Sequence, residues 1–153
     1  MGYNDKLRSI ANRYMGSGQA WPASTRTIAA WAIRNELWKP QPSDLIGQCA
    51  DQLARAMREE FIHDPQGRTI RAKHAVREHG GQKNLTLWGD IRTAPRIHML
   101  VAFQQRRQQI VGDCSQLKAD VDSYNQNWAK SEPIQMVFDF RRDVEERQHH
   151  SAA

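Results

Sequence analysis

Phe61-Ile62-His63-Asp64-Pro65-Gln66-Gly67-Arg68-Thr69-Ile70-Arg71-Ala72-Lys73-His74-Ala75-Val76-Arg77 is the stretch that decides the fold. Asp64-Pro65-Gln66-Gly67 reads as a reverse turn. Proline sits where its fixed φ helps, and glycine where φ > 0 is needed. Beyond the turn, Ile70, Ala72 and Val76 alternate with Arg71, Lys73 and Arg77. A two-residue period is a strand signature, here with one apolar and one basic face. The reading is a β-hairpin across the turn. Its competitor is a helix through Arg71–Glu78, since those residue types have good helix propensity.

Downstream, Gly80-Gly81 makes a break. Leu85-Thr86-Leu87-Trp88, ended by Gly89-Asp90, is a short apolar run that suits a third strand. Upstream, the period is helical. Leu45, Cys49, Leu53, Met57 and Phe61 recur every four residues, Ala50 and Ala54 widen the stripe, and Ile46 adds to its edge. The spacing predicts a helix capped by Ser43, with Asp44 against its dipole, running to about Glu60 and burying that face. A further helix is predicted after Pro22, capped by Ser24 or Thr25, with Ile28, Trp31, Ala32 and Leu37 as its stripe. Lys39-Pro40-Gln41-Pro42 should end it, because proline removes a donor and pushes its predecessor out of helical geometry. Residues 1–23 read as a loosely attached arm. It is a weak amphipathic helix with Leu7, Ile10, Ala11 and Tyr14 at helical spacing, broken by Gly16-Ser17-Gly18.

The chain after Thr93 has a different pattern. Thr93 is a candidate N-cap, Pro95 sits near the first turn, and no breaker intervenes until about Asn127. Leu100, Arg107, Cys114, Val121 and Trp128 are seven apart. Phe103, Ile110, Leu117 and Tyr124 are seven apart and offset by three. That is an a/d heptad with Arg107 as its charged exception. Such a helix spans roughly 50 Å, whereas a compact domain of about 100 residues has a radius of gyration near 13 Å. The economical cover for the seam is a second copy, through Phe103, Ile110, Cys114, Leu117, Val121, Tyr124 and Trp128. The alternative is a bend at Gly112 that folds the helix back on its own domain. Arg107 in a core position would weaken pairing and fix register. Ile134–Phe140 reads as a strand or extended segment, Arg141–Arg147 as a charged last helical turn, and the remainder as a frayed end.

The charge is as uneven as the pattern. The 153 residues carry a formal net charge of +5. Residues 61–110 hold 9 basic and 3 acidic groups, a net of +6, whereas residues 111–153 hold 5 and 8, a net of −3. A segment that basic attracts polyanions, with binding that weakens in salt. The five Trp residues argue for a packed core. No window reaches the roughly 18 apolar residues of a membrane span, and the first twenty residues lack an apolar signal region. Cys49 and Cys114 are too few and too far apart for a disulfide framework. The expected setting is reducing and cytoplasmic, with no membrane partner.

Two helices around a proline-containing turn, then a hairpin with a basic face, then a long helix: this order resembles a winged helix-turn-helix regulator. The expected fold class is mainly α with a small β-hairpin, a winged-helix-like domain followed by a long dimerising helix. The divisions are 1–23, 24–92, 93–130 and 131–153. The resemblance implies a dimeric nucleic-acid-binding protein, of the transcriptional-regulator kind, acting on double-stranded DNA. Phosphate contact is expected from Arg55, Arg68, Arg71, Lys73, Arg77, Lys83, Arg92 and Arg96. Gln48, Asp51, Gln52 and Arg55 have the chemistry to read bases, but Asp44, Asp51, Glu59 and Glu60 on the same helix would be repelled by phosphate.

Gln66-Gly67-Arg68, the run Arg71–Arg77 and the run Ile134–Phe140 are similar to segments of a group of small bacterial proteins, a likeness that implies no activity. Gln135-Met136-Val137-Phe138 resembles, degenerately, peptides that dock on bacterial sliding clamps. It supports a second reading, a non-catalytic adapter that binds a protein partner through Gln135, Met136 and Phe138. No metal or catalytic motif occurs: His63, His74, His79 and His98 are scattered, and both cysteines fall on apolar stripes. No cofactor, metal or catalytic residue is expected.

Overall fold

The structure is a computed structural model that describes residues 2–40, 45–80 and 83–152. Its elements are α1 (Tyr3–Met15), α2 (Thr25–Arg34), α3 (Leu45–Arg58), β1 (Phe61–His63), β2 (Thr69–Arg71), β3 (Lys73–Gly80), β4 (Lys83–Asp90), α4 (Arg96–Asn127) and α5 (Arg141–Ala152). The fold is mainly α with two small antiparallel strand pairs, β1-β2 and β3-β4. The chain divides into two compact units, residues 1–49 and 50–153, and the division falls within α3.

In the first unit α1 is packed rather than loosely attached. Tyr14 is 2% exposed, meets Trp31 edge-on at 5.3 Å, and donates its hydroxyl to the Ala20 carbonyl at 3.0 Å. A buried tyrosine is stable when its hydroxyl finds such a partner. Trp38 Nε1 donates to the Tyr3 hydroxyl at 2.9 Å. Ser24 caps α2 as expected, accepting from the Thr27 amide at 3.1 Å. The helix stops earlier than its prolines would require. Asn35 donates both its backbone N–H (3.0 Å) and its side-chain amide (2.7 Å) to the Trp31 carbonyl, and Glu36 turns the chain at φ +57°. The end of α2 is therefore set by local capping of its last turn, not by Pro40. Ser43 and Asp44, the expected cap of α3, lie outside the described residues. The α3 stripe exists but is not buried: Leu45, Ile46 and Leu53 are exposed.

In the second unit the turn forms as read. Gly67 has φ +84°, and its amide donates to the Asp64 carbonyl at 2.9 Å. Phe61, Ile62 and His63 pair with Arg71, Ile70 and Thr69. The expected single strand through Val76, however, changes partner. The Ala72 amide donates to the Glu60 carbonyl at 3.0 Å, and the Ala72 carbonyl accepts from the Ile91 amide at 2.9 Å. On one side of this residue the chain pairs with β1, on the other with β4. Ala72 is fully buried at the switch. The expected third strand is β4, in register with β3 from Lys73↔Asp90 to Gly80↔Lys83. Gly81 lies outside the described residues.

Ala72 at the switch and His74 and Val76 in β3 are buried in alternation, which confirms the two-residue period. Here α4 packs through buried Ala102 and through Phe103, edge-on to His74 at 5.3 Å. Thr93 does not cap α4: Pro95 holds that position, and no side chain caps it. The helix runs through Gly112 without interruption. After it, Ile134–Phe140 forms no strand. The Asn125 side chain instead brackets the Ile134 backbone, accepting its N–H at 2.9 Å and donating to its carbonyl at 2.8 Å. Arg141–Ala152, expected as one charged turn and a frayed end, is helical.

Candidate nucleic-acid interface

Cross-strand pairing brings Ala75 opposite Trp88 and Arg77 opposite Thr86, so these four side chains share one face of the β3-β4 hairpin. Arg71 ends β2 at the edge of that face. Arg58, the last residue of α3, lays its guanidinium over the Trp88 ring at 5.6 Å from the centroid. That cation–π contact fixes a cation at the end of a helix, where positive charge also suits the dipole.

The run Gln104-Gln105-Arg106-Arg107-Gln108-Gln109 of α4 supplies the other wall. Gln105 positions it. Its Oε1 accepts the Arg77 amide at 2.8 Å, and its Nε2 donates to the Arg77 carbonyl at 2.9 Å. One side chain thus satisfies both groups of an open strand edge, which otherwise invites foreign pairing. At the opposite end, His98 approaches the His74 carbonyl at 2.9 Å.

Between the walls lies an open groove of about 930 Å³. Arg58, Arg71, Lys73, Arg77, Arg106 and Arg107 line it, with Thr86, Trp88 and the four glutamines, and no carboxylate is among its lining residues. The cations differ in what holds them. Lys73 bridges Glu60 at 3.0 Å and Asp90 at 3.2 Å. The hydrogen bond it donates to Glu60, then the one it donates to Asp90, raises its pKa. Among the described residues no carboxylate pairs with Arg58, Arg71, Arg77, Arg106 or Arg107. Burial, and then the positive charge of Arg71, push the Arg106 guanidinium below its ordinary pKa. Five guanidiniums are therefore gathered with no carboxylate partner among the described residues.

The structure distributes the sequence-expected contacts unevenly. Arg71 and Arg77 are in the groove without carboxylate partners. Lys73 is there but ion-paired. Arg68 is bound to Asp64 at 2.6 Å within the turn, and Arg92 to Asp90 at 2.7 Å. Burial pushes the Asp64 carboxyl up, but the Arg68 hydrogen bonds outweigh it and hold the group low. Arg55 and Arg96 are exposed and outside the groove lining. The side chain of Lys83 lies outside the described residues. Sequence reading missed Arg58, Arg106 and Arg107 as groove residues. The signal was present in the Gln-Gln-Arg-Arg-Gln-Gln run, where the heptad reading assigns Arg107 to a charged core position.

Of the interface residues expected on α4, Phe103 meets His74, Cys114 and Val121 are half-buried, and Ile110, Leu117, Tyr124 and Trp128 are exposed. Of the adapter residues, Gln135 and Met136 are exposed and Phe138 is half-buried beside Phe140. Among the described residues, no three His, Cys, Asp or Glu side chains converge as a metal site, and no helix is long and apolar enough to cross a membrane. No family model matches the chain, and no curated protein or solved structure is significantly similar to it.

Proposed function

We propose that the chain binds nucleic acid along the groove between the β3-β4 hairpin and α4. The observation that carries this reading is the gathering of five guanidiniums without carboxylate partners in one open concavity. A guanidinium matches phosphate with two parallel hydrogen bonds and stays charged at any physiological pH. One phosphate needs one or two of them; five in an open groove suit a polymer of phosphates. The glutamines and Thr86 add neutral donors and acceptors for sugar and base edges. The reading places phosphate contact on Arg58, Arg71, Arg77, Arg106 and Arg107, and gives α3 no base-reading role.

Anisotropy of labelled 20-mers, as duplex DNA, single-stranded DNA and single-stranded RNA, tests it between about 50 and 200 mM salt. The variant is Arg71→Ala/Arg77→Ala/Arg106→Ala. Three lost phosphate contacts should flatten the salt slope on duplex DNA by roughly 2.7. They should weaken binding at low salt by at least tenfold, with the circular dichroism spectrum unchanged. Equal affinity of variant and wild type would remove the groove from the argument. Absence of binding to all three polymers at 50 mM salt would leave the adapter reading, which draws on Gln135, Met136 and Phe138.

A further inference from the structure

The second unit leaves part of an apolar seam uncovered. Along α4, Ile110 is 53%, Leu117 43% and Tyr124 45% exposed, and Trp128, just past the helix, 66%. Ile110, Leu117 and Tyr124 are seven apart beyond the groove, with Cys114 and Val121 half-buried between them.

The flanks of the seam say what covers it. Asp113 and Asp120 stand on one flank and Lys118 on the other, and Lys118 is paired only along its own helix, with Asp122 at 2.7 Å. Acidic residues beside an apolar stripe repel an anionic lipid surface and a phosphate backbone alike. A surface carrying both signs beside a heptad is complementary to itself. We infer that a second copy of this chain docks on α4 through the seam centred on Ile110, Leu117 and Tyr124. The interface is separate from the groove: it uses the helix beyond Gln109, and its formation does not depend on what the groove binds.

Light scattering on the full chain at about 100 μM tests the inference. The expected mass is twice the 17.7 kDa of one chain. Ile110→Asp/Leu117→Asp should halve it while leaving the circular dichroism spectrum unchanged, because both side chains are exposed in the single chain. A wild-type mass of 17.7 kDa would overturn the inference, and so would a doubly substituted chain that stays dimeric. Should that variant lose its helical signal, the exposed flank substitution Lys118→Glu serves instead. It places three carboxylates along the seam and should weaken the dimer at least tenfold in low salt, with recovery in high salt; unchanged affinity overturns the proposal. Arg71→Ala/Arg77→Ala/Arg106→Ala should remain dimeric, so failure of the groove reading and failure of this one are told apart.

Discussion

At the scale of single residues, the corner where β2 passes into β3 is organised by Asp90. Its carboxylate accepts Arg92 through Nε at 2.9 Å and Nη2 at 2.7 Å, the Arg92 amide at 2.9 Å, and Lys73 Nζ at 3.2 Å. The Arg92 hydrogen bonds, against the opposing effect of burial and with help from Lys73, hold this carboxyl well below its ordinary value of 3.8. A depressed carboxylate stabilises the fold while it is ionised in both states, above 3.8, and that contribution is lost as pH falls through the folded pKa. Asp90→Asn should therefore be less stable at neutral pH. Its urea midpoint should also fall less steeply than the wild type's as pH drops below about 4. Parallel curves for the two proteins would show that the corner does not depend on the charge. The pairing of Asp90 with Arg92 was not legible in the sequence, where Arg92 read as a phosphate contact. Residues two apart meet only if the backbone turns there.

At the scale of elements, the contact between β4 and α4 depends on a missing side chain. A Cβ on Gly89 would lie 2.8 Å from His98 Nε2 and 3.0 Å from Ala94 Cβ. The His98 ring cannot swing aside without giving up the His74 carbonyl. Gly89→Ala should destabilise the second unit by about 1–3 kcal/mol, the usual cost of overpacking, seen as a drop of several degrees in thermal midpoint. A midpoint within one degree of wild type would mean that the ring has room. Sequence reading took this glycine as the end of a strand; it is also a point of close helix approach. The same limit applies to β2 and β3. Their alternation was legible because it follows from a strand's two-residue repeat. The partner switch at Ala72 was not, because it depends on Glu60 and Ile91 arriving from two sides.

At the scale of the whole molecule, the proposed dimer along α4 would make stability depend on concentration. If folding and association are coupled, the thermal midpoint of the wild type should rise when the chain is concentrated from about 1 to 100 μM, by mass action. The midpoint of Ile110→Asp/Leu117→Asp should not move. Equal midpoints for the wild type across that range would contradict a dimer that contributes to stability. The groove and the seam divide the unevenly charged chain: the basic middle segment lines one, and the seam runs on from it into the acidic last third.

The sequence by itself determined local patterns: the turn at Asp64–Gly67, the strand alternation, a cap at Ser24 or Thr25, and a helical stretch without a breaker to about Asn127. These depend on neighbours within one turn or one pleat, so a linear reading reaches them. Only the tertiary structure decided which cations stand free. Arg68, Lys73 and Arg92 meet carboxylates, whereas Arg58, Arg71, Arg77, Arg106 and Arg107 converge from four separate elements with no carboxylate partner among the described residues. Side-chain pairing is fixed by distances in space, and no spacing along the chain records the approach of α4 to the face of a hairpin.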